Sequence, residues 1–151
     1  MAKKRPRSAK KKSTKVQLRA KYLLLCDGVG KDAGAGKISV YGIFDTVFAE
    51  TVPAALGAYN CVAVMQGDGS YDASLVLVDP NGKEVPGPPP FRIECRPDRN
   101  AMIQLILAGM VLTRFGLYRF ELREGKRVLA AYEFTLKKRT ETAKREPIKK
   151  K

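Results

Sequence analysis

Apolar and polar side chains alternate in the last third of the chain, first over residues 116–124 and again over residues 128–136. The turn Glu124-Gly125-Lys126 separates the two runs. Alternation with a period of two predicts strands that bury one face and expose the other. These residues therefore predict a β-hairpin.

Six earlier runs also have strand character, and turn signals separate them. They cover residues 16–26, 37–49, 56–66, 71–78, 91–96 and 101–107. Asp79-Pro80-Asn81-Gly82 has strong turn chemistry, because proline fits the second position of a type I turn and Gly82 can adopt positive φ. Seven or eight strands at a spacing of about ten residues predict an all-β fold, a single antiparallel β-sandwich.

Two positions leave alternatives open. Gly42 interrupts an apolar strand pattern, which indicates either a bulge or a close backbone approach. Residues 101–112 could form a buried helix by periodicity alone. Gly109 and the β-branched residues favour a strand that runs into a loop.

The net charge of +14 is concentrated at the two ends of the 151-residue chain. Residues 1–15 have a net charge of +8, residues 137–151 have +6, and the 121 residues between them are neutral. Sixteen Lys and Arg residues make up the two clusters: Lys3, Lys4, Arg5, Arg7, Lys10, Lys11, Lys12, Lys15, Lys137, Lys138, Arg139, Lys144, Arg145, Lys149, Lys150 and Lys151.

Both ends lack apolar periodicity, and segments of like charge cannot bury enough surface to offset the entropy of ordering. We therefore expect a disordered basic tail over residues 1–15, a β-sandwich domain over residues 16–137 and a second disordered basic tail over residues 138–151.

Several core motifs resemble a family of small bacterial proteins known only as a domain of unknown function. The similar segments are Tyr22-Leu-Leu-Leu-Cys-Asp27, Lys37-Ile-Ser-Val-Tyr-Gly-Ile-Phe-Asp45, Val78-Asp-Pro-Asn-Gly-Lys83 and Gly116-Leu-Tyr-Arg-Phe120. The resemblance extends from about Tyr22 to Leu136 and implies a bacterial source and a β-sandwich. It supplies no catalytic residues, and the long basic tails depart from the family pattern.

Known catalytic and cofactor motifs do not occur in the sequence. The chain has no His, so the commonest general base and metal ligand is missing. The segment from Gly30 to Lys37 fails the Walker pattern, because Lys31 occupies the position of the first glycine and Ile38 follows Lys37. We therefore expect no enzymatic activity, no cofactor and no small-molecule substrate.

Cysteine and acidic residues give weak signals. Cys26, Cys61 and Cys95 lie in apolar stretches without the paired spacing of a zinc site, so we expect buried thiols rather than reactive ones. Reduced cysteines, together with the absence of a membrane span or export signal, predict a cytoplasmic protein without a membrane partner. The pairs Asp68/Asp72 and Asp27/Asp32 could bind Ca²⁺ or support carboxylate catalysis, but turn formation is the simpler interpretation.

The basic tails carry the main functional hypothesis. Mobile Lys and Arg side chains can follow a phosphate backbone and release its counterions. Neither tail contains an aromatic residue, so base stacking is not expected and binding should not depend on sequence. We predict a non-enzymatic protein that binds RNA, DNA or ribonucleoprotein through its tails, while the sandwich engages a protein partner or only adds bulk. The alternative is a protein-interaction module whose tails only increase solubility.

Overall fold

A computed structural model describes residues 15–140. Within this range the chain forms twelve strands and no helix. The strands are β1 (Arg19–Lys31), β2 (Ile38–Ile43), β3 (Thr46–Ala49), β4 (Ala54–Ala55), β5 (Tyr59–Gln66), β6 (Gly69–Val78), β7 (Glu84–Val85), β8 (Phe91–Cys95), β9 (Ala101–Leu107), β10 (Val111–Leu112), β11 (Gly116–Glu124) and β12 (Arg127–Lys138).

Two sheets pack face to face, which confirms the predicted β-sandwich. The front sheet has the strand order β2-β1-β5-β9. The back sheet has the order β3-β12-β11-β6, and β6 continues to β7 at one end and to β8 at the other. All pairings are antiparallel except that of β12 with β3, which is parallel.

The core between the sheets is built from one parity of each strand. Tyr118, Phe120 and Phe134 are fully buried, and Phe134 stacks on both other rings with centroid distances of 5.4 and 5.7 Å. Leu25 and Met65 reach the same cluster from the front sheet. The alternation in the C-terminal hairpin corresponds to a division between core and solvent from Ala130 to Leu136, whereas a register shift between Leu122 and Arg123 leaves Val128 48% exposed.

The N-terminal strand is longer than its sequence pattern predicts. β1 was expected to end at Cys26, but it continues through Asp27 and Gly28 to Lys31 because β2 pairs with it over this segment. Gly28 lies opposite Tyr41, whose ring fills the space where a larger residue would place its Cβ atom. An aromatic side chain thus covers a glycine that would otherwise weaken the strand.

The predicted strand over residues 37–49 is divided in two. β2 pairs with β1 in the front sheet, whereas β3 crosses to the back sheet and pairs with β12. Gly42 has a φ of +66° and faces the side chain of Asp27, so the close approach is confirmed and the register contains no bulge at this point. Residues 101–107 form strand β9, which confirms the strand interpretation over the helix.

Candidate functional site

Four of the sixteen predicted nucleic-acid-binding residues fall within the described range: Lys15, Lys137, Lys138 and Arg139. All four are exposed to solvent. The other twelve lie outside the described residues, as do the disorder predictions for residues 1–14 and 141–151. Those residues are Lys3, Lys4, Arg5, Arg7, Lys10, Lys11, Lys12, Lys144, Arg145, Lys149, Lys150 and Lys151.

Lys15 is held at one end of the sandwich by Tyr71. The Lys15 ammonium lies 4.9 Å from the centroid of the Tyr71 ring, within the range of a cation–π interaction. The Tyr71 hydroxyl lies 2.6 Å from the carbonyl oxygen of Val16. These contacts attach the start of the described chain to β6.

The other three cationic residues lie at the end of β12. Lys137 and Lys138 pair in parallel with Phe48 and Ala49 of β3, and the backbone N–H of Arg139 donates to the carbonyl oxygen of Ala49 at 2.8 Å. Strand β12 includes Lys138, so it ends one residue beyond the predicted domain boundary at residue 137. Backbone pairing orders this segment while its cationic side chains remain in solvent.

The two cationic ends are attached at opposite ends of the molecule. β12 begins at Arg127, whose guanidinium donates to the carbonyl oxygen of Leu18 at 2.8 Å, and it ends at Lys138. A strand of this length spans about 36 Å at a rise of about 3.3 Å per residue. The N-terminal and C-terminal basic segments therefore leave the sandwich far apart.

The outer face of the front sheet is apolar, which the sequence reasoning missed. Residues that are directly opposite each other in neighbouring strands share a face. The outward-facing apolar positions are Tyr41 and Ile43 of β2, Tyr22, Leu24 and Cys26 of β1, Val62 and Val64 of β5, and Met102 and Ile106 of β9. Tyr22, Tyr41, Ile43 and Ile106 are between 53% and 71% exposed.

The polar groups at the centre of this outer face are amides rather than charges. The side-chain nitrogen of Gln104 donates to the side-chain oxygen Oδ1 of Asn60 at 2.8 Å. The side-chain nitrogen of Asn60 in turn donates to the backbone carbonyl oxygen of Asp27 at 3.0 Å. Val62 and Val64 are 1% and 7% exposed, yet they do not belong to the core cluster between the sheets. Their neighbours on the outer face shield them.

A groove lies at the end of β9, between that strand and the proline-rich connector. It has a volume of about 540 Å³ and is lined by Pro86, Pro88, Ile106, Met110 and Val111, among others. The lining is mainly apolar, so the groove extends the outer apolar surface past the edge of the sheet.

Two of the four acidic residues considered for Ca²⁺ binding, Asp72 and Asp32, have local partners for their carboxylates. Asp72 pairs with Arg92 at 3.2 Å, and the Asp32 carboxylate accepts from the N–H of Gly34 at 3.0 Å. Asp68 accepts through its backbone oxygen from the Tyr71 hydroxyl at 2.9 Å. Among residues 15–140, no cluster of three or more Cys, Asp or Glu side chains could hold a metal ion.

The three thiols are free and buried, as expected from their apolar surroundings. Burial raises the pKa of the Cys61 thiol to about 12, and a Coulombic contribution from Cys26 acts in the same direction. Burial also raises the pKa values of Cys26 and Cys95. Thiols in this state are protonated at neutral pH and are poor nucleophiles.

The outer face of the back sheet carries charges instead. Glu121 is buried between two guanidinium groups, with oxygen–nitrogen distances of 2.7 Å to Arg119 and 2.6 Å to Arg123. Arg123 also binds Glu84 at 2.6 Å. Burial alone would raise the pKa of Glu121, but hydrogen bonds from Arg123 and Arg119 outweigh it and lower the pKa.

One signal in the sequence could have revealed the apolar outer face. Leu23-Leu-Leu-Cys26 and Cys61-Val-Ala-Val-Met65 are apolar at both parities. A strand with only one buried face alternates, whereas a continuous apolar run indicates that both faces avoid water.

A family model described as a family of unknown function, DUF6941, matches residues 21–137. No curated protein matches the chain. Within residues 15–140, no helix is long and apolar enough to cross a membrane.

Solved structures resemble the fold at low sequence identity. A β-glucosidase from Listeria innocua in complex with isofagomine is 8% identical with a TM-score of 0.48, and the match covers 80% of this chain and 16% of that one. An immunoglobulin-like protein from Pseudomonas aeruginosa is 16% identical with a TM-score of 0.43, covering 83% of this chain and all of that one. The chain thus spans about a sixth of the glucosidase. Because the family model covers most of its length, the chain belongs to the DUF6941 family.

Proposed function

We propose that this protein is a non-enzymatic cytoplasmic binding protein that associates with RNA, DNA or ribonucleoprotein through its two basic ends, without sequence specificity. One observation carries the proposal: the whole excess of positive charge lies in the terminal segments, and the residues between them are neutral. Phosphate backbones attract such segments through counterion release.

The attachment points support a two-ended contact. Lys15 and Arg139 mark ends that β12 separates by about 36 Å. Two weak contacts on one polymer act as linked binding events, so their combined affinity exceeds that of either alone. A long nucleic acid should therefore bind more tightly than a fragment that only one end can reach.

Truncation tests the proposal. Binding of RNA and duplex DNA should be measured for the full chain and for a fragment spanning residues 15–140, which keeps β12 and its pairing with β3 intact. We expect steep salt dependence for the full chain and a large loss of binding on truncation. Equal, weak binding by both would refute the proposal.

A protein-interaction module is the second candidate. The apolar outer face of the front sheet favours it, since a large exposed apolar patch on a soluble protein marks an interaction surface. This function needs no contribution from the tails. It predicts that neutralising the basic ends leaves partner binding intact.

A further inference from the structure

The free edge of β9 differs from the other sheet edges of the described chain. β9 pairs only with β5, so its opposite edge has no strand beside it within residues 15–140. Its seven residues contain no charge, no proline and no glycine. Soluble proteins usually protect an edge of this length with one of those devices, because unpaired backbone groups recruit another strand.

The other long or medium edges each carry an interruption. β2 contains Gly42 in the left-handed region, with a φ of +66°. β8 carries Arg92 and Glu94 along its five residues. β3 and β7 are four and two residues long. β9 is thus the edge best suited to pairing.

We propose that a second copy of this chain pairs antiparallel with β9, so that two front sheets join into one eight-stranded sheet. Gln104 is the middle residue of Ala101–Leu107. A two-fold axis at Gln104 places the two glutamines opposite each other and sets Met102 of each copy beside Ile106 of the other. Cross-strand apolar pairs of this kind stabilise a sheet.

This pairing would bury apolar surface on the outer face, because Ile106 at the sheet edge is 71% exposed in the single chain. Joining the edges makes the two apolar outer faces continuous and shields Ile106 against the partner's Met102. The terminal segments outside the described residues are rich in Lys and Arg and cannot provide an apolar cover. A neutral, apolar edge also selects against nucleic acid and charged peptides as occupants.

The C-terminal cationic residues are placed away from the proposed dimer edge. The residues between the basic ends sum to zero, and the C-terminal cationic residues lie next to β3, at the edge of the back sheet away from β6 and β8. In the sandwich, β9 of the front sheet lies near β8 of the back sheet, whereas β12 lies near β1. The C-terminal cationic end therefore lies away from the proposed axis, whereas Lys15 contacts Tyr71 of β6, on the same side of the sandwich as β8 and β9.

The interface is small. A seven-residue edge is about 23 Å long, so the contact belongs with weak interfaces, below about 1,200 Å² in total. We expect a reversible dimer with a dissociation constant in the micromolar range rather than an obligate one.

Charge-swap variants test the dimer. The exposed Gln104 is changed to Lys in one protein and to Glu in another, and the mass of each full chain is measured by sedimentation across a concentration series. Like charges facing each other across the axis should weaken each homodimer at least about tenfold. Mixing the two variants should restore association as a heterodimer.

Two controls separate this dimer from other modes of association. Leu117→Lys, on the outer face of the back sheet, should leave the dimer unchanged. Tyr41→Lys lies on the apolar outer face but away from β9 and should also leave it unchanged. A wild-type chain that stays monomeric up to near-millimolar concentration would overturn the proposal. So would open-ended oligomers, a dimer that depends on Tyr41, or failure of the mixed variants to associate.

Discussion

At the residue scale, the most constrained polar group is Glu121. It is a carboxylate buried on the outer face of the back sheet, and the guanidinium groups of Arg119 and Arg123 keep it ionised. Burial of one charge is tolerated only because hydrogen bonds and opposite charges compensate for the lost hydration. Both arginines sit two positions away along β11, so strand geometry alone places the three side chains together.

Replacing Glu121 by Gln should destabilise the fold by about 1–3 kcal/mol, because two guanidinium groups lose a charged acceptor. The pKa of Glu121 is lowered in the folded state, so its contribution is present above the unfolded pKa and is lost as pH falls through the folded one. Urea unfolding at neutral pH and in acid should therefore show a smaller difference between wild type and variant in acid. Glu50→Gln, at an exposed position outside β11 and β12, serves as the control.

Gly42 is the second constrained residue. Gly42→Ala should cost more than about 2 kcal/mol, since alanine is strained at positive φ and its Cβ atom would collide with Asp27. Gly109→Ala measures the backbone strain at positive φ alone, because Gly109 has a similar φ of +68° but open space around it. Equal losses of unfolding free energy for the two variants would show that the contact with Asp27 does not matter.

At the element scale, the strands and the C-terminal hairpin were predictable, whereas the other strand pairings were not. All eight predicted runs contain strands, because alternation and turn residues are local signals. The crossing of the chain from β2 to β3 was missed, since Phe44 and Asp45 interrupt the run without Gly or Pro. The apolar outer face was missed because the second apolar parity of runs such as Leu23-Leu-Leu-Cys26 becomes a continuous surface only when the neighbouring strands are paired, and pairing is not a local signal.

Hydrogen exchange along β9 gives an element-scale prediction. Amides of β9 that point away from β5 should exchange rapidly in dilute solution and become protected as the dimer forms at high concentration. β2 is also an edge strand of the same sheet and should show no such change. Protection that rises along β2 instead would place the interface at the wrong edge.

At the scale of the whole molecule, the distribution of charge is the feature that sequence alone reveals best. Net charge at each end can be counted from the sequence, whereas the distance between the ends depends on the fold. The structure adds that β12 carries Lys138 within a paired strand and that Lys15 contacts Tyr71. The proposed binding through the ends and the proposed pairing through β9 use different surfaces, so either proposal can fail while the other holds.

Matched removal of charge from a tail and from the sandwich tests whether the basic ends bind nucleic acid. Lys10, Lys11 and Lys12 are changed to Gln in one full-length variant, and the exposed Lys83, Arg96 and Arg99 in another. Duplex DNA binding is then measured from low to physiological salt. We predict that the tail variant reduces the slope of log affinity against log salt by up to about 2.7, since each lost phosphate contact removes about 0.9, while the sandwich variant keeps the wild-type slope. Equal slopes for wild type and tail variant, or an equal loss in both variants, would contradict binding through the basic ends.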